Sequence, residues 1–476
     1  MPWRFLLLLL LVCPRPWTGA VAAVSPPGSR LPNVVLVFGD DLGWGDPGCY
    51  GGRGYRTPHL DRLARQGTRF TSFYVSQPVC SASRASLLTG CYANRVGIQG
   101  ALGPAQKVGL HPDETTLAEI LKGRGYATAM FGKWHLGRPP ELLPTRQGFD
   151  EYFGLPYSND MWPRHPTARP GTYPPLPLLE GDRVVEEMPD QRTLTARYTA
   201  RAVQFIERHR DRPFFLYLAH SMPHVPLFAG DRFAGRSRRG LYGDVIQEID
   251  DSVGQVLAAL RRCGVEEDTW VIFTSDNGPW LSYGDHAGRA GPFREGKGTV
   301  FEGGVRVPCL MRWPGRIPGG RVSDAPWMTI DLLPTIARVV GAPLPDRPID
   351  GRDAWPLVSG ARGAGSPQEA YFFYYHDGQL QAVRSGDWKL LLPHTARVLQ
   401  GRPGGRGGRP VEYADLRVGT ELYDLRRDPG ERRDLAARHP EVVDRLMAHV
   451  ARARAELGDS LVKVAGRAVR QPGRVP

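Results

Sequence analysis

The sequence predicts an α/β protein in which a large mixed, mostly parallel sheet is sandwiched by helices, followed by a small antiparallel sheet and a terminal helix. Three observations predict it. Up to about residue 360, short apolar runs alternate with amphipathic stretches, the pattern of buried parallel strands and the helices that cover them. Four of those runs stop abruptly in polar clusters. Beyond Leu357 the pattern changes to closely spaced strand segments with turn signals between them.

The four interrupted runs organise the first part of the chain. Asn33 to Phe38 ends in Gly39-Asp40-Asp41, and Trp270 to Thr274 ends in Ser275-Asp276-Asn277-Gly278, so both stop in acids. Tyr126 to Phe131 leads into Gly132-Lys133-Trp134-His135, and Phe214 to Leu218 leads to His220 and His224, so both stop in bases. Open α/β sheets bind ligands beyond the carboxyl ends of their strands, and four such ends imply one converging site.

The second part begins after a Gly/Ser/Pro stretch from Ser359 to Pro367 that reads as a linker. Strands are predicted around Tyr371 to Tyr375, Gln381 to Arg384, Trp388 to Leu392 and Glu421 to Leu425, with Gly386-Asp387 as a hairpin turn. Pro440 opens a helix to about Leu457. A chain of 476 residues exceeds what one core of about 250–300 residues accommodates. The expected division is a signal peptide over 1–23, a catalytic domain over 24–360 and an α+β subdomain over 361–476.

The signal peptide reading rests on Arg4, the leucine-rich run Phe5 to Val12, and Ala20-Val21-Ala22-Ala23 as a small-residue cleavage site. The run is too short for a membrane span of about 20 residues, and no later stretch reaches that length. Beyond it lie Cys49, Cys80, Cys91, Cys263 and Cys309, an odd number that leaves one thiol over in an oxidising compartment. None of Asn33, Asn94, Asn159 and Asn277 is followed two residues later by Ser or Thr, so no N-glycosylation acceptor exists. This points away from a lysosomal glycoprotein and towards a secreted or periplasmic, bacterial protein.

The formal charge is +12, carried almost wholly by arginine, because lysine occurs only at 107, 122, 133, 297, 389 and 463. Many arginines fall in Gly401 to Pro410 and in the tail after Gly466, which read as solvated loops. No nucleic-acid motif accompanies them. A basic surface suits an anionic polysaccharide drawn in by long-range steering.

The chemistry is concentrated in Pro78-Val79-Cys80-Ser81-Ala82-Ser83-Arg84, followed by Leu87-Leu88-Thr89-Gly90. This segment resembles the signature of the formylglycine-dependent sulfatases, Cys-x-Pro-Ser-Arg with a Leu-Thr-Gly ending, and in particular their arylsulfatase A-like branch. The resemblance continues in order through Asp40-Asp41, Gly132-Lys133-Trp134-His135-Leu136-Gly137, Asp276-Asn277-Gly278, Gly296-Lys297-Gly298-Thr299 and Glu302-Gly303-Gly304, covering about residues 33 to 430. Ala82 stands where the signature has proline, a variant similar to sites read by some bacterial maturation enzymes.

The resemblance implies an alkaline-phosphatase-like fold and hydrolysis of a sulfate ester. It implies that Cys80 becomes 3-oxoalanine (formylglycine) through a formylglycine-generating or sulfatase-maturing enzyme. The hydrated aldehyde would attack sulfur, the alcohol would leave, and sulfate would then be eliminated. Asp40, Asp41, Asp276 and Asn277 offer only oxygen, which suits calcium or magnesium, and the resemblance selects Ca2+, with Cys80 also placed at the metal. Arg84, Lys133 and Lys297 are expected to hold charge opposite the diol and sulfate. His135 is implied as the base of the elimination step, His224 as a sulfate contact and proton donor, and Ser158 as a further sulfate contact. His220 reads as structural. A helix beginning near Ser83 would turn its positive end towards the anion.

The substrate is expected to be a sulfated carbohydrate, with aryl sulfates as probes and Asn159, Asp160 and Arg164 touching the sugar. Two other readings stand beside this one: a phosphate or phosphonate ester hydrolase, and a secreted glycan-binding protein without catalysis.

Overall fold

The computed structural model describes residues 30–475. The segment read as a signal peptide, residues 1–23, lies outside the described residues. Among those described, no helix is long and apolar enough to cross a membrane.

The main sheet has strands β1 (Asn33–Gly39), β2 (Thr68–Tyr74), β3 (Ala127–Gly132), β4 (Glu151–Gly154), β5 (Pro177–Glu180), β6 (Arg183–Glu187), β7 (Phe214–Ala219), β8 (Thr269–Ser275), β9 (Arg306–Arg312) and β10 (Arg321–Ser323). They lie side by side as β10-β2-β9-β8-β1-β7-β3-β4-β5-β6, with the short Trp327–Met328 strand beside β2. The five central strands β8, β1, β7, β3 and β4 are parallel, whereas β9 and β5 enter antiparallel. The four runs that end in polar clusters are therefore four consecutive parallel strands, and their carboxyl ends meet by construction.

Side-chain alternation divides the core into two faces. Val34, Leu36 and Phe38 of β1 belong to one apolar cluster with Leu87, Leu121 and Ile336. Val35 and Val37 belong to the other, with Phe205, Ile206, Ile249 and Val253. The period of two thus sends one face to the helices Cys80–Thr89, Leu117–Gly123 and Leu332–Val340, and the other to Leu194–Arg208 and Leu241–Arg262.

The C-terminal part forms the four-stranded antiparallel sheet β11 (Tyr371–Tyr375), β12 (Gln379–Ser385), β13 (Trp388–Leu391) and a strand over Glu421–Asp424. The Gly386-Asp387 turn joins β12 to β13, pairing Ser385 with Trp388. The last helix spans Pro440–Leu457. A ribbon of His394–Val398 and Ala414–Val418, not foreseen in the sequence, projects between the third and fourth strands. The tail after Gly466 is docked and is not a solvated loop. Arg470 binds both carboxylate oxygens of Glu114 at 2.7 Å, and Gly473–Arg474 pairs with Val108–Gly109. The Gly401 to Pro410 stretch leans on the main domain through Gly405 N–H to Ser282 O, while Arg402, Arg406 and Arg409 stay exposed as expected.

This second sheet is fastened to the first by a buried charge. Lys389 of β13 reaches Glu302 and Glu431, each at 2.9 Å, and all three are almost fully buried. Burial opposes ionisation of Glu302, but Lys389, Arg306 and Arg384 outweigh it and hold its carboxyl low, whereas burial and the Glu302 charge push Glu431 up. Removing the lysine leaves two carboxylates in a dry interface, which costs about 3–5 kcal/mol. Lys389→Met should therefore lower the unfolding free energy obtained from urea titration by about that margin, seen as a lower midpoint. An unchanged midpoint would show that the interface does not depend on the ion pair.

Candidate active site

Backbone geometry brings the strand-end residues close together. Gly132 closes β3 at φ +118°, and a Cβ there would sit 1.8 Å from Ala219 O, so only glycine allows β3 and β7 to converge just before Lys133. Asp41 and His135 occupy the left-handed region at φ 62° and 61°, a costly conformation for residues with side chains. Both strained residues lie in the converging cluster.

Cys80 is the first residue of the Cys80–Thr89 helix, which begins three residues earlier than the sequence suggested. All ten residues of that helix are buried. The Cys80 Sγ lies 3.5 Å from Lys297 Nζ and 3.7 Å from Asp40 Oδ1. Burial, opposed by Lys133 and Lys297, pushes the Cys80 thiol up to about 12, so the unmodified side chain is a neutral thiol at neutral pH.

Beneath Cys80, buried acids and cations are matched in pairs. Lys133 Nζ is 2.6 Å from Asp40 Oδ2 and 3.1 Å from Ser158 Oγ. Lys297 Nζ is 2.7 Å from Asp41 Oδ1 and lies 4.3 Å from the centre of the Trp280 ring. Arg84 holds Asp276 Oδ2 through Nε and Nη2 at 3.2 and 2.9 Å, and donates Nη1 to Lys133 O. Burial alone would raise Asp40, yet Lys133, His224 and Arg84 hold it below the usual carboxylate range. Burial and the nearby Asp40 charge push Asp276 up.

Asp40, Asp41, Cys80 and His224 each offer one ligand atom, all within 4.8 Å of one another. His224, expected at the sulfate, is therefore also within ligand range, with Nε2 at 3.6 Å from Asp41 Oδ2. Asp276 Oδ2 accepts from Arg84 and Oδ1 accepts from Asp41 N–H at 3.0 Å, which fixes the carboxylate beside the cluster and leaves each oxygen a further lone pair. Asn277 donates Nδ2 to Asp41 Oδ1 at 2.7 Å, while its Oδ1 is buried without a hydrogen-bond partner. An orphaned amide oxygen among three buried carboxylates is what a hard cation would satisfy, so the donor set fits calcium or magnesium.

The two histidines are oriented by carbonyls. His135 Nε2 is 2.8 Å from Leu102 O, and since a carbonyl only accepts, Nε2 carries the proton and the buried, unpartnered Nδ1 carries the lone pair. Burial, followed by Lys133 and Arg84, drives the His135 pKa well below 6.5. His224 Nδ1 donates to Val225 O, which turns Nε2 to the cluster. His220 is buried against Ser252 with its pKa lowered by burial to about 4, in keeping with a structural role.

The comparisons with known proteins agree with this geometry. Residues 32–342 match the sulfatase family, and residues 366–471 match the C-terminal region of aryl-sulfatase. The chain belongs to the sulfatase family. It is 42% identical to human arylsulfatase A, covering 88% of this chain and 87% of that protein. It is 40% identical to dog N-acetylgalactosamine-6-sulfatase, covering 93% and 87%. A solved sulfatase from Pseudoalteromonas sp., PsFucS1, superposes with a TM-score of 0.77 at 29% identity, covering 89% of this chain and 91% of its own. This sulfatase is thus a sulfuric ester hydrolase with the expected alkaline-phosphatase-like fold. The two curated relatives are mammalian, so the expectation of a bacterial source gains no support from them.

Some expectations for the sulfatase site change. The Asn159 side chain is not at the mouth: it is fully buried and donates to Gln191 Oε1 and Pro226 O. Asp160 is buried near His224, with burial opposed by His224, Ser158 and Lys133, which hold its carboxyl low. Arg164 is exposed, 5.7 Å from the centre of the Trp162 ring. Sequence reasoning missed Trp280, which also packs on His224 at 5.5 Å between ring centres; its position just after Asn277-Gly278-Pro279 was the available signal. The five described cysteines are all unpaired, so the odd count leaves over five thiols and not one.

The His135 assignment has a direct test. Nitrogen-15 chemical shifts at about pH 6.5, the ordinary imidazole midpoint, should show His135 neutral and protonated on Nε2. A half-protonated ring, or the Nδ1–H tautomer, would contradict the carbonyl-directed orientation.

Proposed function

We propose that this sulfatase removes sulfate from a sulfated sugar using 3-oxoalanine formed at Cys80 and Ca2+ held by Asp40, Asp41, Asp276 and Asn277 around Cys80, with His224 within reach. One observation carries the reading. The Cys80 side chain is fixed at a buried helix N-terminus, between a lysine cation and an aspartate of the oxygen-rich cluster. Once oxidised by a formylglycine-generating or sulfatase-maturing enzyme, the residue supplies a hydrated aldehyde, one hydroxyl to attack sulfur and a second whose deprotonation lets sulfate leave. The bound ion supplies Lewis acidity to the diol and the sulfate oxygens.

The chain's own side chains do the rest. Lys133 and Lys297 would offer their ammonium groups to sulfate oxygens, and Ser158 would add a hydroxyl beside Lys133. His224, as an imidazolium, would give its Nε2 proton to the departing sugar oxygen while Nδ1–H stays on Val225 O, and His135 would take a proton at Nδ1. Arg84 stays on Asp276 Oδ2 and fixes the orientation of that carboxylate. Calcium tolerates irregular oxygen-ligand arrangements, whereas magnesium demands a near-ideal octahedron. The carbohydrate reading is supported by the basic chain with its expected export signal and by a relative whose name specifies a sulfated amino sugar. Removal of residues 1–23 and division near residue 360 complete the proposal, the latter lying between the two matched regions.

The test is the mass of the Cys80 peptide from protein made alongside a maturation enzyme, with aldehyde labelling of the same peptide. Conversion of thiol to aldehyde should track activity, and Cys80→Ala should lower kcat by at least about 10³-fold. Full activity with an unmodified thiol, or in Cys80→Ala, would overturn the mechanism.

A further inference from the structure

The mouth beside Lys297 carries a second cation that the hydrolytic reaction does not use. Arg397 lies on the ribbon strand His394–Val398, where side chains alternate buried and exposed and Arg397 is exposed. Its Nη2 would be 2.5 Å from a Cβ placed on Gly298, the residue after Lys297. Gly298 has φ +79°, so the second glycine of Gly296-Lys297-Gly298 both permits the backbone turn and seats the guanidinium against it. The same Nη2 donates to Tyr375 Oη at 3.2 Å, and Tyr375 packs on the Val79–Ala82 cluster that flanks Cys80. Arg397 also lies over the Tyr413 ring, 5.3 Å from its centre, and the Tyr413 phenol is hydrogen-bonded to Ser282 and feels the charge of Lys297.

This guanidinium is positioned but not neutralised. Its partners are a phenol and an aromatic face, and it makes no ion pair among the described residues. The ribbon is fixed relative to Lys297, since both carboxylate oxygens of Glu295 accept backbone N–H groups, from Leu399 and Gln400, each at 2.9 Å. A rigid, uncompensated guanidinium flanked by two tyrosines, one residue along from a cation of the catalytic cluster, matches a planar or tetrahedral anion on a sugar ring.

We propose that Arg397, with Tyr413 and Tyr375, forms a subsite for a second anionic substituent, a carboxylate or another sulfate, on the sugar bearing the scissile ester or on its neighbour. This rests on the carbohydrate reading and narrows it to substrates carrying at least two negative groups. The tyrosines supply a platform for the sugar face and the guanidinium reads the charge.

The test uses the converted enzyme and four probes: an aryl sulfate, a monosulfated disaccharide, the same disaccharide with an added uronic carboxylate, and the same with a second sulfate. In wild type, one of the doubly anionic probes should exceed the monosulfated disaccharide in kcat/KM. Which of the two does so identifies carboxylate or sulfate as the recognised group. Arg397→Ala should reduce that preference about tenfold, mostly through KM, and Arg397→Lys should restore part of it. Arg402→Ala removes another exposed charge, one bound only to carbonyls, and should leave the preference intact, which separates local recognition from general steering. Thermal midpoints of the variants report folding.

A preference that survives Arg397→Ala, or falls equally in Arg402→Ala, overturns the subsite while leaving the carbohydrate reading in place. No preference for either doubly anionic probe in wild type does the same. Turnover of aryl sulfate with none of any saccharide overturns the carbohydrate reading and the subsite together.

Discussion

Three carboxylates and three cations, all buried beneath Cys80, set the terms for the rest of the molecule. Asp40 faces Lys133, Asp41 faces Lys297, and Asp276 faces Arg84, at 2.6 to 2.9 Å. Buried ions are tolerated only when paired and fully hydrogen-bonded, because desolvation costs several kcal/mol for each one. The sheet satisfies that demand by ending four adjacent parallel strands at one place, with a glycine at Gly132 to let two of them converge. Strain at Asp41 and His135 is the local consequence, offset by the surrounding packing.

Charge balance also explains why the C-terminal sheet is part of the site. Lys297 lies on the connection between β8 and β9 of the main sheet, and that connection is held against the second sheet by Lys389 through Glu302 and against the ribbon backbone through Glu295. A lysine that must sit 3.5 Å from the Cys80 sulfur and 2.7 Å from Asp41 needs such support. The tail acts similarly on the other side. Gly473–Arg474 pairs with Val108–Gly109, inside the loop whose Leu102 carbonyl orients His135.

Much of this was legible in the sequence because strand ends and turn chemistry are local signals. The four apolar runs, the Gly386-Asp387 hairpin and the helix from Pro440 appear where their patterns place them. Cys80, Arg84, Lys133, Lys297 and His224 could be named from motif residues, and the structure brings them into one cluster. What escaped depends on contacts distant in the chain. Asn159 reads as an exposed polar loop residue, yet it is buried against Gln191 and Pro226. The tail arginines look solvated until Glu114 is brought beside Arg470. Trp280 closely follows Asp276-Asn277-Gly278, but only folding places its ring over Lys297.

Asp40 and Asp41 are balanced here by Lys133 and Lys297; a divalent cation held by the same carboxylates would supply that balance in place of the lysines, so on the proposed function cation and sulfate would bind with mutual support. The most direct measurement is calorimetric titration of inorganic sulfate into the Cys80→Ala protein, with and without saturating Ca2+. The account predicts that calcium tightens sulfate binding by at least about tenfold, and that Asp41→Asn removes most of this gain. Equal sulfate affinity in the presence and absence of calcium would contradict it.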